Sequence, residues 1–428
     1  MVEITLHTDS AERDGRTQIL DAAGEVFLSE GFERASVDRI AAVAHMSKQS
    51  IYELYPNKLA LFEAAVRNKL NGAWLSMTNI DNGMDAEDTL TRYAMRLFEG
   101  FAEPVNFGLF RANIEAANHV PELAAELHER RLASSQPLAF YLEALIEGAV
   151  IAPCDPLAMA IRFGGVAVEG ARYFLGNALP GKAAQKRIVD QAVRMFLDGY
   201  RSVQDVAGDK VPSTPIEPPA REGVTALRLS AEKLLALLDA ATSEFLEYGY
   251  RRASIDRISA AVRVSKATIY RQFGNKENLL RYIVQREIFA ASHQPFELLP
   301  ESADPEIALV ALARQALDRH LEPANIRMHR LLVVEADFIP DLAQLFYEGR
   351  VRRLGEALEQ QLEALGLARP SQSATRIFYT LATFAVRFFT AMTPPSETDR
   401  DMYARECARL FLNGLRAGNR QKAIAQAD

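Results

Sequence analysis

The chain is poor in the residues that build disulfides, metal sites and catalytic centres. Its 428 residues include two cysteines, Cys154 and Cys407, which lie far apart and form no CxxC motif. This arrangement argues against a disulfide framework and against a thiolate metal site. The seven histidines form no HExxH or similar pair, and the sequence shows neither a nucleophile and base arrangement nor a phosphate-binding glycine loop. We therefore expect no enzyme activity, no metal and no cofactor.

Long apolar runs are also absent. No uncharged apolar stretch reaches the roughly 18 residues that suggest a membrane span, and the N-terminal sequence MVEITLHTDSAERDGR has no apolar signal-peptide core. The net charge of −7 gives no global sign of a nucleic-acid partner, although a local basic patch can occur on an acidic protein. We expect a cytoplasmic protein that does not associate with membranes.

What the chain does contain is an internal repeat. A shift of 218 positions aligns LDAAGEVFLSEGFERASVDRIAAVAHMSKQSIYELYPNKLAL with LDAATSEFLEYGYRRASIDRISAAVRVSKATIYRQFGNKENL without a gap, and about half of these positions are identical. The match returns later, where EAANHVPELA resembles EADFIPDLA and VRMFLDGY resembles ARLFLNGL. The chain is therefore two copies of one unit of roughly 200 residues.

The repeat divides the chain into segments. Four prolines between the copies predict a semi-extended linker without a packed core. In chain order, the sequence predicts a first head, a first helical body, a linker, a second head and a second helical body, at residues 1–65, 66–204, 205–227, 228–283 and 284–428.

Both copies show helical patterns. Apolar residues recur at the spacing of one helix face, and strand-like alternation is absent. In the first head, Ser36 and Ser47 are expected to cap two successive short helices. In the second head, Ser254 and Ser265 are expected to do the same. The remainder of each copy consists of amphipathic patterns interrupted by prolines. We predict an all-α fold.

Two short helices joined by a tight turn can place the second helix in the major groove of DNA. In the shared pattern SKxxIYxxxxNK, the isoleucine is expected to be buried, whereas the tyrosine and the final lysine suit phosphate oxygens. The positions that differ between the copies are expected to face base edges, which carry the sequence information. These are Gln49, Ser50, Glu53 and Leu54 in the first head, and Ala267, Thr268, Arg271 and Gln272 in the second.

Both segments resemble the helix-turn-helix of the TetR family of bacterial transcriptional regulators. The family pattern appears as GFERASVDRIAAVAHMSKQSIYELYPNK and GYRRASIDRISAAVRVSKATIYRQFGNK. The resemblance implies a regulator, most often a repressor, that binds a double-stranded DNA operator and is released by a small-molecule effector in the helical body. The sequence does not identify this effector.

The resemblance and the helix caps together give the candidate DNA-binding residues. They are Ser36, Ser47, Lys48, Gln49, Ser50, Tyr52 and Lys58 in the first head, and Ser254, Ser265, Lys266, Ala267, Thr268, Tyr270, Arg271 and Lys276 in the second. Glu53, the counterpart of Arg271, places an anion in the first recognition helix. It keeps an alternative open, in which the protein is a sensor or protein-interaction module and one or both heads no longer bind DNA.

The two heads differ in charge. Residues 19–62 carry four basic and six acidic side chains, a balance of −2, whereas residues 237–280 carry seven basic and five acidic ones, a balance of +2. Because phosphate neutralisation dominates affinity for DNA, the second head is expected to be the stronger anchor. In the alternative interpretation, the acids of the first head lie away from DNA.

The helical bodies carry a candidate ligand pocket, formed by Phe110, Phe163, Arg172, Phe174, Phe384, Arg387 and Phe388. The aromatic members also fit an ordinary core. The two arginines could instead pair with core carboxylates such as Glu115 or Glu335, and we slightly favour that pairing.

Regulators of this family normally work as homodimers joined by a four-helix bundle. The resemblance implies that residues 155–174 with 186–200, and 373–392 with 401–415, form this bundle within one chain. We expect a monomeric pseudo-dimer with two unlike heads on a pseudo-palindromic operator; a higher oligomer remains an alternative.

Overall fold

A computed structural model of the chain describes most, but not all, of its residues. The described residues are 3–73, 80, 85–168, 173, 175, 178–199, 229–292, 294–384, 387–390 and 393–415. The predicted linker at 205–227 lies outside them, as do Arg172 and Phe174 of the candidate pocket.

The described part of the chain is helical and contains no β-strand, which confirms the predicted all-α fold. The helices of the first copy are α1 (Glu3–Glu30), α2 (Val37–Val43), α3 (Lys48–Leu54), α4 (Lys58–Ala73), α5 (Ala86–Ala102), α6 (Pro104–His119), α7 (Pro121–Ala133), α8 (Gln136–Glu147), α9 (Pro156–Val168) and α10 (Lys182–Asp198). The helices of the second copy are α11 (Ala231–Arg252), α12 (Ile255–Val262), α13 (Lys266–Phe273), α14 (Lys276–Ser292), α15 (Pro305–Leu321), α16 (Pro323–Val334), α17 (Pro340–Ala364), α18 (Gln372–Thr383), α19 (Arg387–Thr390) and α20 (Glu397–Asn413). None of the described helices is both long and apolar enough to cross a membrane.

The helices form two compact units, and each unit combines residues of both sequence copies. The first unit comprises Met1–Val168, Pro180–Val193 and Val386–Pro394. The second unit comprises Glu169–Leu179, Arg194–Ala385 and Pro395–Asp428.

In the first unit, the head packs directly on body helix α6. Gly108 of α6 lies against Leu28 of α1, where a Cβ atom on the glycine would come within 2.5 Å of the Leu28 Cβ atom. Arg111 Nη2 donates hydrogen bonds to the Leu28 carbonyl at 2.8 Å and the Ser29 carbonyl at 3.0 Å. The C-terminal carbonyls of α1 are thus satisfied by a side chain of the body.

A buried acidic side chain of the body also contacts this head. Glu115 of α6 is 8 % exposed and accepts a hydrogen bond from the Phe32 backbone N–H at 2.9 Å. Burial raises the pKa of Glu115 to about 7, although the Phe32 hydrogen bond and the charge of Arg111 act in the opposite direction. The first head is therefore held by a group that titrates near neutral pH.

The two bodies differ in one long element. In the second unit, α17 runs without a break for 25 residues, whereas the first copy has two shorter helices, α7 and α8, at the corresponding place. Pro137 follows the first residue of α8 and lacks the N–H that a continuous helix would need. The second copy has no proline within α17 after Pro340, which explains why that helix continues.

Within the second unit, the end of α10 meets the end of α20. The Leu415 N–H donates to the Phe196 carbonyl at 2.9 Å and the Leu197 carbonyl at 3.0 Å. Gly199 and Gly414, which follow these helices, have φ values of 82° and 64°, a left-handed conformation that favours glycine. A Cβ atom on Gly199 would approach the Leu412 carbonyl oxygen to 2.6 Å. The close backbone contact therefore requires glycine.

Candidate nucleic-acid interface

The first head contains the predicted pair of short helices. Ser36 accepts a hydrogen bond from the Arg39 N–H at 3.1 Å and caps α2. Ser47 accepts from the Ser50 N–H at 3.0 Å and caps α3. Ile51 is fully buried, which holds α3 on the head and leaves its opposite side exposed. The sequence-based assignment of both serines as N-caps is confirmed.

The second head repeats this geometry. Ser254 accepts from the Arg257 N–H at 3.4 Å, and Ser265 accepts from the Thr268 N–H at 3.2 Å. Ile269 is buried like its counterpart Ile51. The two heads therefore share one local frame, which the repeated sequence had indicated.

Each recognition helix, α3 or α13, exposes one large aromatic ring at the same position. Tyr52 is 42 % exposed and Tyr270 is 44 % exposed. Gln49 and Ala267 are exposed on the same two helices, and Ser50 and Thr268 are partly exposed. These side chains are free of the core and are placed to contact a partner, whereas the isoleucine beside each tyrosine is not.

A lysine at the start of each recognition helix pairs with an aspartate of the preceding helix. Lys48 Nζ lies 3.0 Å from Asp38 Oδ2, and Lys266 forms the equivalent pair with Asp256. The hydrogen bond with Asp38 raises the pKa of Lys48. Both pairs are about half exposed, so each contributes little to stability but fixes the lysine beside the exposed face.

Lys58 and Lys276, the predicted phosphate contacts, both face the turn that follows the first helix of their head. Lys58 Nζ donates to the Glu33 carbonyl at 3.4 Å and lies 4.7 Å from the centre of the Phe32 ring. Burial lowers the pKa of both lysines, although nearby carboxylates raise it in part. Each lysine therefore has a role within its head, and phosphate contact remains a prediction.

Lys276 makes the same arrangement with one more hydrogen bond. Its Nζ donates to the Arg251 carbonyl at 3.2 Å and the Ala253 carbonyl at 3.1 Å, and it lies 4.7 Å from the centre of the Tyr250 ring. Lys276 thus donates hydrogen bonds to two carbonyls at the turn of the second head, whereas Lys58 donates to one in the first head.

One expectation for the exposed face is wrong. Gln272 was expected to face base edges, but it is only 6 % exposed, whereas its counterpart Leu54 is 46 % exposed. In the first head, Pro56 disfavours helical geometry for the residue before it, and Tyr55 adopts an extended conformation with φ −132° and ψ 112°. Helix α3 therefore ends at Leu54, whereas α13 continues to Phe273 and turns Gln272 inward.

The exposed faces differ in their hydrogen bonds. In the first head, Gln49 Nε2 donates to Glu53 Oε1 at 3.1 Å, so the acid orients the amide. In the second, Arg271 Nη2 donates to Thr268 Oγ1 at 3.3 Å. The first recognition helix thus presents an amide and carboxylate pair, and the second presents a guanidinium.

Not every basic residue of the second head is available to a partner. Arg257 Nε donates to the buried Glu244 carboxylate at 2.9 Å, which raises the pKa of Arg257. Arg251 and Arg263 are exposed and form no ion pair with any described residue. Arg263 has a left-handed backbone, with φ 53° and ψ 42°, in the turn just before α13.

The candidate ligand pocket contains mostly core residues. Phe110 and Phe163 belong to the core of the first unit, and Phe384 and Phe388 are also buried. The Arg387 guanidinium carbon lies 5.9 Å from the centre of the Phe388 ring. A ligand-binding role for this set remains a prediction.

The second unit contains a different cavity, here called the arginine cavity, which sequence reasoning missed. It encloses an empty volume of about 510 Å³, including the space at its open mouth. None of the predicted pocket residues lines it. Its lining residues are Ile288, Phe296, Ala316, Arg319, His320, Gly349, Arg350, Arg353, Leu354, Tyr379 and Thr383. Within the described ranges, no cluster of His, Cys, Asp and Glu is suited to hold a metal ion.

Comparison with protein-family models finds matches in both copies. A model described as bacterial regulatory proteins of the tetR family matches residues 19–65 and 237–283. A model described as the C-terminal domain of AefR-like transcriptional repressors matches residues 88–202 and 307–414. The matches cover both heads and most of both bodies.

Individual relatives are more distant. The DNA-binding transcriptional repressor TetR of Mycobacteroides abscessus is 42 % identical over 48 residues, which are 11 % of this chain and 25 % of that protein. The HTH-type transcriptional activator FasR of Mycolicibacterium smegmatis is 27 % identical over 172 residues, 39 % of this chain and 74 % of that protein. This chain therefore spans only a quarter of the length of the first relative.

Solved structures of similar proteins match about one copy each. A TetR-family regulator from Mesorhizobium loti is 25 % identical, covers 43 % of this chain and 95 % of its own, and gives a TM-score of 0.38. A TetR regulator from Agrobacterium tumefaciens is 20 % identical, covers 46 % of this chain and 100 % of its own, and gives a TM-score of 0.37.

Proposed function

The chain belongs to the TetR family of bacterial regulatory proteins, whose head and body it carries twice, and we propose that it represses transcription with two unlike heads on one operator. It is a DNA-binding transcriptional regulator, as its family is. A repressor role is supported by the match of both bodies to the AefR-like repressor domain. We place this activity in the cytoplasm and assign the chain no catalytic role.

The observation that carries the proposal is the repetition of one frame with two different exposed faces. Capped helices, a buried isoleucine and an exposed tyrosine occur at matching positions of both heads. Gln49 and Glu53 of the first recognition helix have Ala267 and Arg271 as counterparts. Because glutamine pairs with adenine and arginine with guanine, two such faces suit half-sites of different sequence.

Contacts between the copies support a monomeric pseudo-dimer. In the second unit, Leu415 of the second copy donates to the carbonyls of Phe196 and Leu197 of the first. In the first unit, His128 Nδ1 lies 3.0 Å from Thr390 Oγ1, which belongs to the second copy. A single chain thus contains contacts that a homodimer would make between subunits.

The docking of α6 on the first head supports release by an effector. Arg111 and Glu115 join α6 to the end of α1 and to the turn after it. An effector that binds a shifted body better than the unshifted one would move this head through α6. Operator affinity would then fall without any contact between effector and DNA.

Selection of bound DNA from a random pool, with the full chain, tests the proposal. We expect enriched sites with two dissimilar half-sites about one helical turn apart, on the order of 34–36 Å. Light scattering should give the mass of one chain with and without DNA. Perfect palindromes would contradict the unlike heads, and a stable two-chain species would contradict the pseudo-dimer. The absence of any enriched site would favour the sensor alternative.

A further inference from the structure

Three arginines line the arginine cavity from two helices of the second unit. Arg319 comes from α15, and Arg350 and Arg353 come from adjacent turns of α17. Cavity walls of ligand sites are mostly apolar with a few polar groups that fix orientation. Ile288, Ala316 and Leu354 supply apolar wall, and the three guanidinium groups supply an unusual density of positive charge.

No carboxylate neutralises these arginines directly. Among the described residues, none of the three has an acidic partner within 4.0 Å. Glu322 acts on all three arginines, but only at longer range. The cavity is thus lined by positive charge that no carboxylate contacts directly.

Part of this hydrogen-bonding capacity is unused. Arg350 Nε and Arg353 Nη2 are shielded from solvent and have no hydrogen-bond partner. A buried donor without a partner costs free energy, and burial lowers the pKa of Arg353 to about 10, with Arg319 and Arg350 lowering it further by repulsion. An oxyanion that accepts from both groups would remove this cost.

An aromatic ring stands between the arginines. The Phe296 ring lies 4.0 Å from the Arg319 guanidinium carbon and 5.2 Å from that of Arg353. Arg319 also donates to the Gln294 carbonyl at 3.1 Å and the Pro295 carbonyl at 2.6 Å, so it holds the segment that carries Phe296. Arg319 is therefore committed to the wall. Arg350 lies 4.2 Å from the centre of the Phe346 ring, but Arg350 and Arg353 each keep a donor without a partner.

The same segment is fixed at two further points. Gln315 Oε1 accepts from the Glu297 N–H at 2.9 Å, and Gln361 Oε1 accepts from the Leu299 N–H at 2.8 Å. Phe296 is therefore a preformed wall of the cavity, and a planar group could stack beside it at little ordering cost.

The first copy lacks two of these three charges. The prolines that begin α16 and α17 have Pro104 and Pro121 as counterparts, each 219 positions earlier. With the same shift, Arg319 corresponds to Gly100, Arg353 corresponds to Ser134, and Arg350 corresponds to Arg131. Arg319 and Arg353 are therefore not a requirement of the shared fold, because the first copy has neither.

We propose that the arginine cavity binds a small organic anion with a planar apolar body, whose carboxylate contacts Arg350 and Arg353 while its ring lies beside Phe296. The proposal rests on the proposed function in one respect, because it assigns the chemical class of the effector. Binding itself is independent of DNA. Among the described residues, this site lies in the second copy.

Calorimetric titration of the full chain in the absence of DNA tests the site. The probe is 2-naphthoate, its neutral control is 2-naphthamide, and inorganic phosphate tests charge without a ring. We expect naphthoate to bind at least about tenfold more tightly than naphthamide or phosphate, because buried pairing of a carboxylate with arginine is worth that much or more. Arg353→Gln should weaken naphthoate binding by about tenfold or more and abolish its advantage over naphthamide.

Two further variants test whether loss of folding, instead of loss of the arginine, causes the weaker naphthoate binding of Arg353→Gln. Arg369→Gln changes an exposed arginine paired with Glu359 outside the cavity and should leave binding unchanged. Arg353→Lys keeps the charge but removes the fork of donors, and should bind naphthoate more weakly than the original chain but better than Arg353→Gln. Unfolding temperatures of all variants verify that they are folded.

Several results would overturn the proposal: no naphthoate binding, equal binding of naphthoate and naphthamide, binding of phosphate as tight as that of naphthoate, or an unaffected Arg353→Gln variant. Release of operator DNA by naphthoate is measured separately. Binding without release would leave the cavity assignment intact and count against its role as the effector site.

Discussion

The two heads share their internal contacts and differ in the charges that they expose. Both have serine caps, a buried isoleucine, an exposed tyrosine and a lysine over an aromatic ring. Three exposed positions of the first head become arginine in the second, namely Glu33 to Arg251, His45 to Arg263, and Glu53 to Arg271. Folding requirements account for the contacts that both heads share. The three positions that differ are not needed for folding, and so they can set DNA affinity and sequence preference separately in each head.

The heads also differ in their own buried acids. The first head rests on the buried Glu115, whose Oε2 accepts the Phe32 N–H. In the second head, a buried acid of the head itself, Glu244, accepts the Ser254 N–H at 2.7 Å and pairs with Arg257. The counterpart of Glu244 in the first head is Val26. The second head thus contains a buried acid that the first head lacks, while its Tyr250 also packs against Phe338 of the body, with ring centres 5.2 Å apart.

The largest expected effect follows from the titration of Glu115. Because its pKa is raised from 4.5 to about 7 in the folded chain, the folded state binds a proton that the unfolded state has lost. Stability should therefore fall as pH rises through this window. Glu115→Gln, which keeps an oxygen acceptor for Phe32, should remove that loss, a change of about 3 kcal/mol between pH 4.5 and pH 8.

Urea unfolding at several pH values measures this difference. Glu122→Gln, an exposed position at the start of α7, is the matched control and should retain the pH dependence of the original chain. A Glu115→Gln variant with the same pH profile as the original chain would show that Glu115 does not titrate in this window.

Charge exchange between the recognition helices should have the next largest effect. Arg271→Glu should weaken operator binding by about tenfold or more and reduce the salt slope by about 0.9 if one phosphate contact is lost. Glu53→Arg should strengthen binding and increase the slope by a similar amount. Fluorescence anisotropy over a salt series measures both. Equal losses from both variants would mean that Glu53 reads a cytosine amino group and that charge alone misjudges the first head.

Sequence preference should respond more modestly. Gln49→Ala with Ser50→Thr gives the first recognition helix the residues of the second at these positions. The change should cost about 1–2 kcal/mol of discrimination at the first half-site and make the two half-sites more alike. Competition binding with operators mutated one base pair at a time measures the discrimination. If the preference at the first half-site does not change, Gln49 does not contact a base.

The smallest expected difference concerns the lysines that tie each turn. Lys276 donates to two carbonyls and Lys58 to one. Lys276→Met, which keeps the apolar stem, should lower the unfolding free energy by about 1 kcal/mol, and Lys58→Met by about half as much. Thermal unfolding of the two variants measures this, and a larger loss for Lys58→Met would reverse the assignment.

Much of the frame could be predicted because its signals are local. Helix periodicity and serine caps involve residues a few positions apart, and the repeat presented each signal twice. The arginine cavity could not be predicted in this way, since Phe296, Arg319, Arg353 and Tyr379 come from separate elements and meet only through packing. The nearest sequence signal was the spacing of Arg350 and Arg353, which places both on one face of a helix.

The error at Gln272 has a local cause that the sequence contained. The shift of 218 positions aligns it with Leu54, but Pro56 stands where the second copy has Gly274. Gly274 adopts a φ of 78° after one further helical residue, whereas the proline ends its helix earlier. Equivalent positions in a repeat therefore need not share exposure when the residues that end their helices differ.

The contact between Leu415 and the end of α10 joins two copies that are translated as one polypeptide. In a homodimer, a substitution at the interface is present in both subunits, because one gene encodes both sides. Here Gly199 and Gly414 are separate codons, so each side can mutate alone. Pairing within a chain also does not depend on how many molecules a cell contains. The proposed pseudo-dimer would keep both of its heads together even at a copy number at which separate subunits would dissociate.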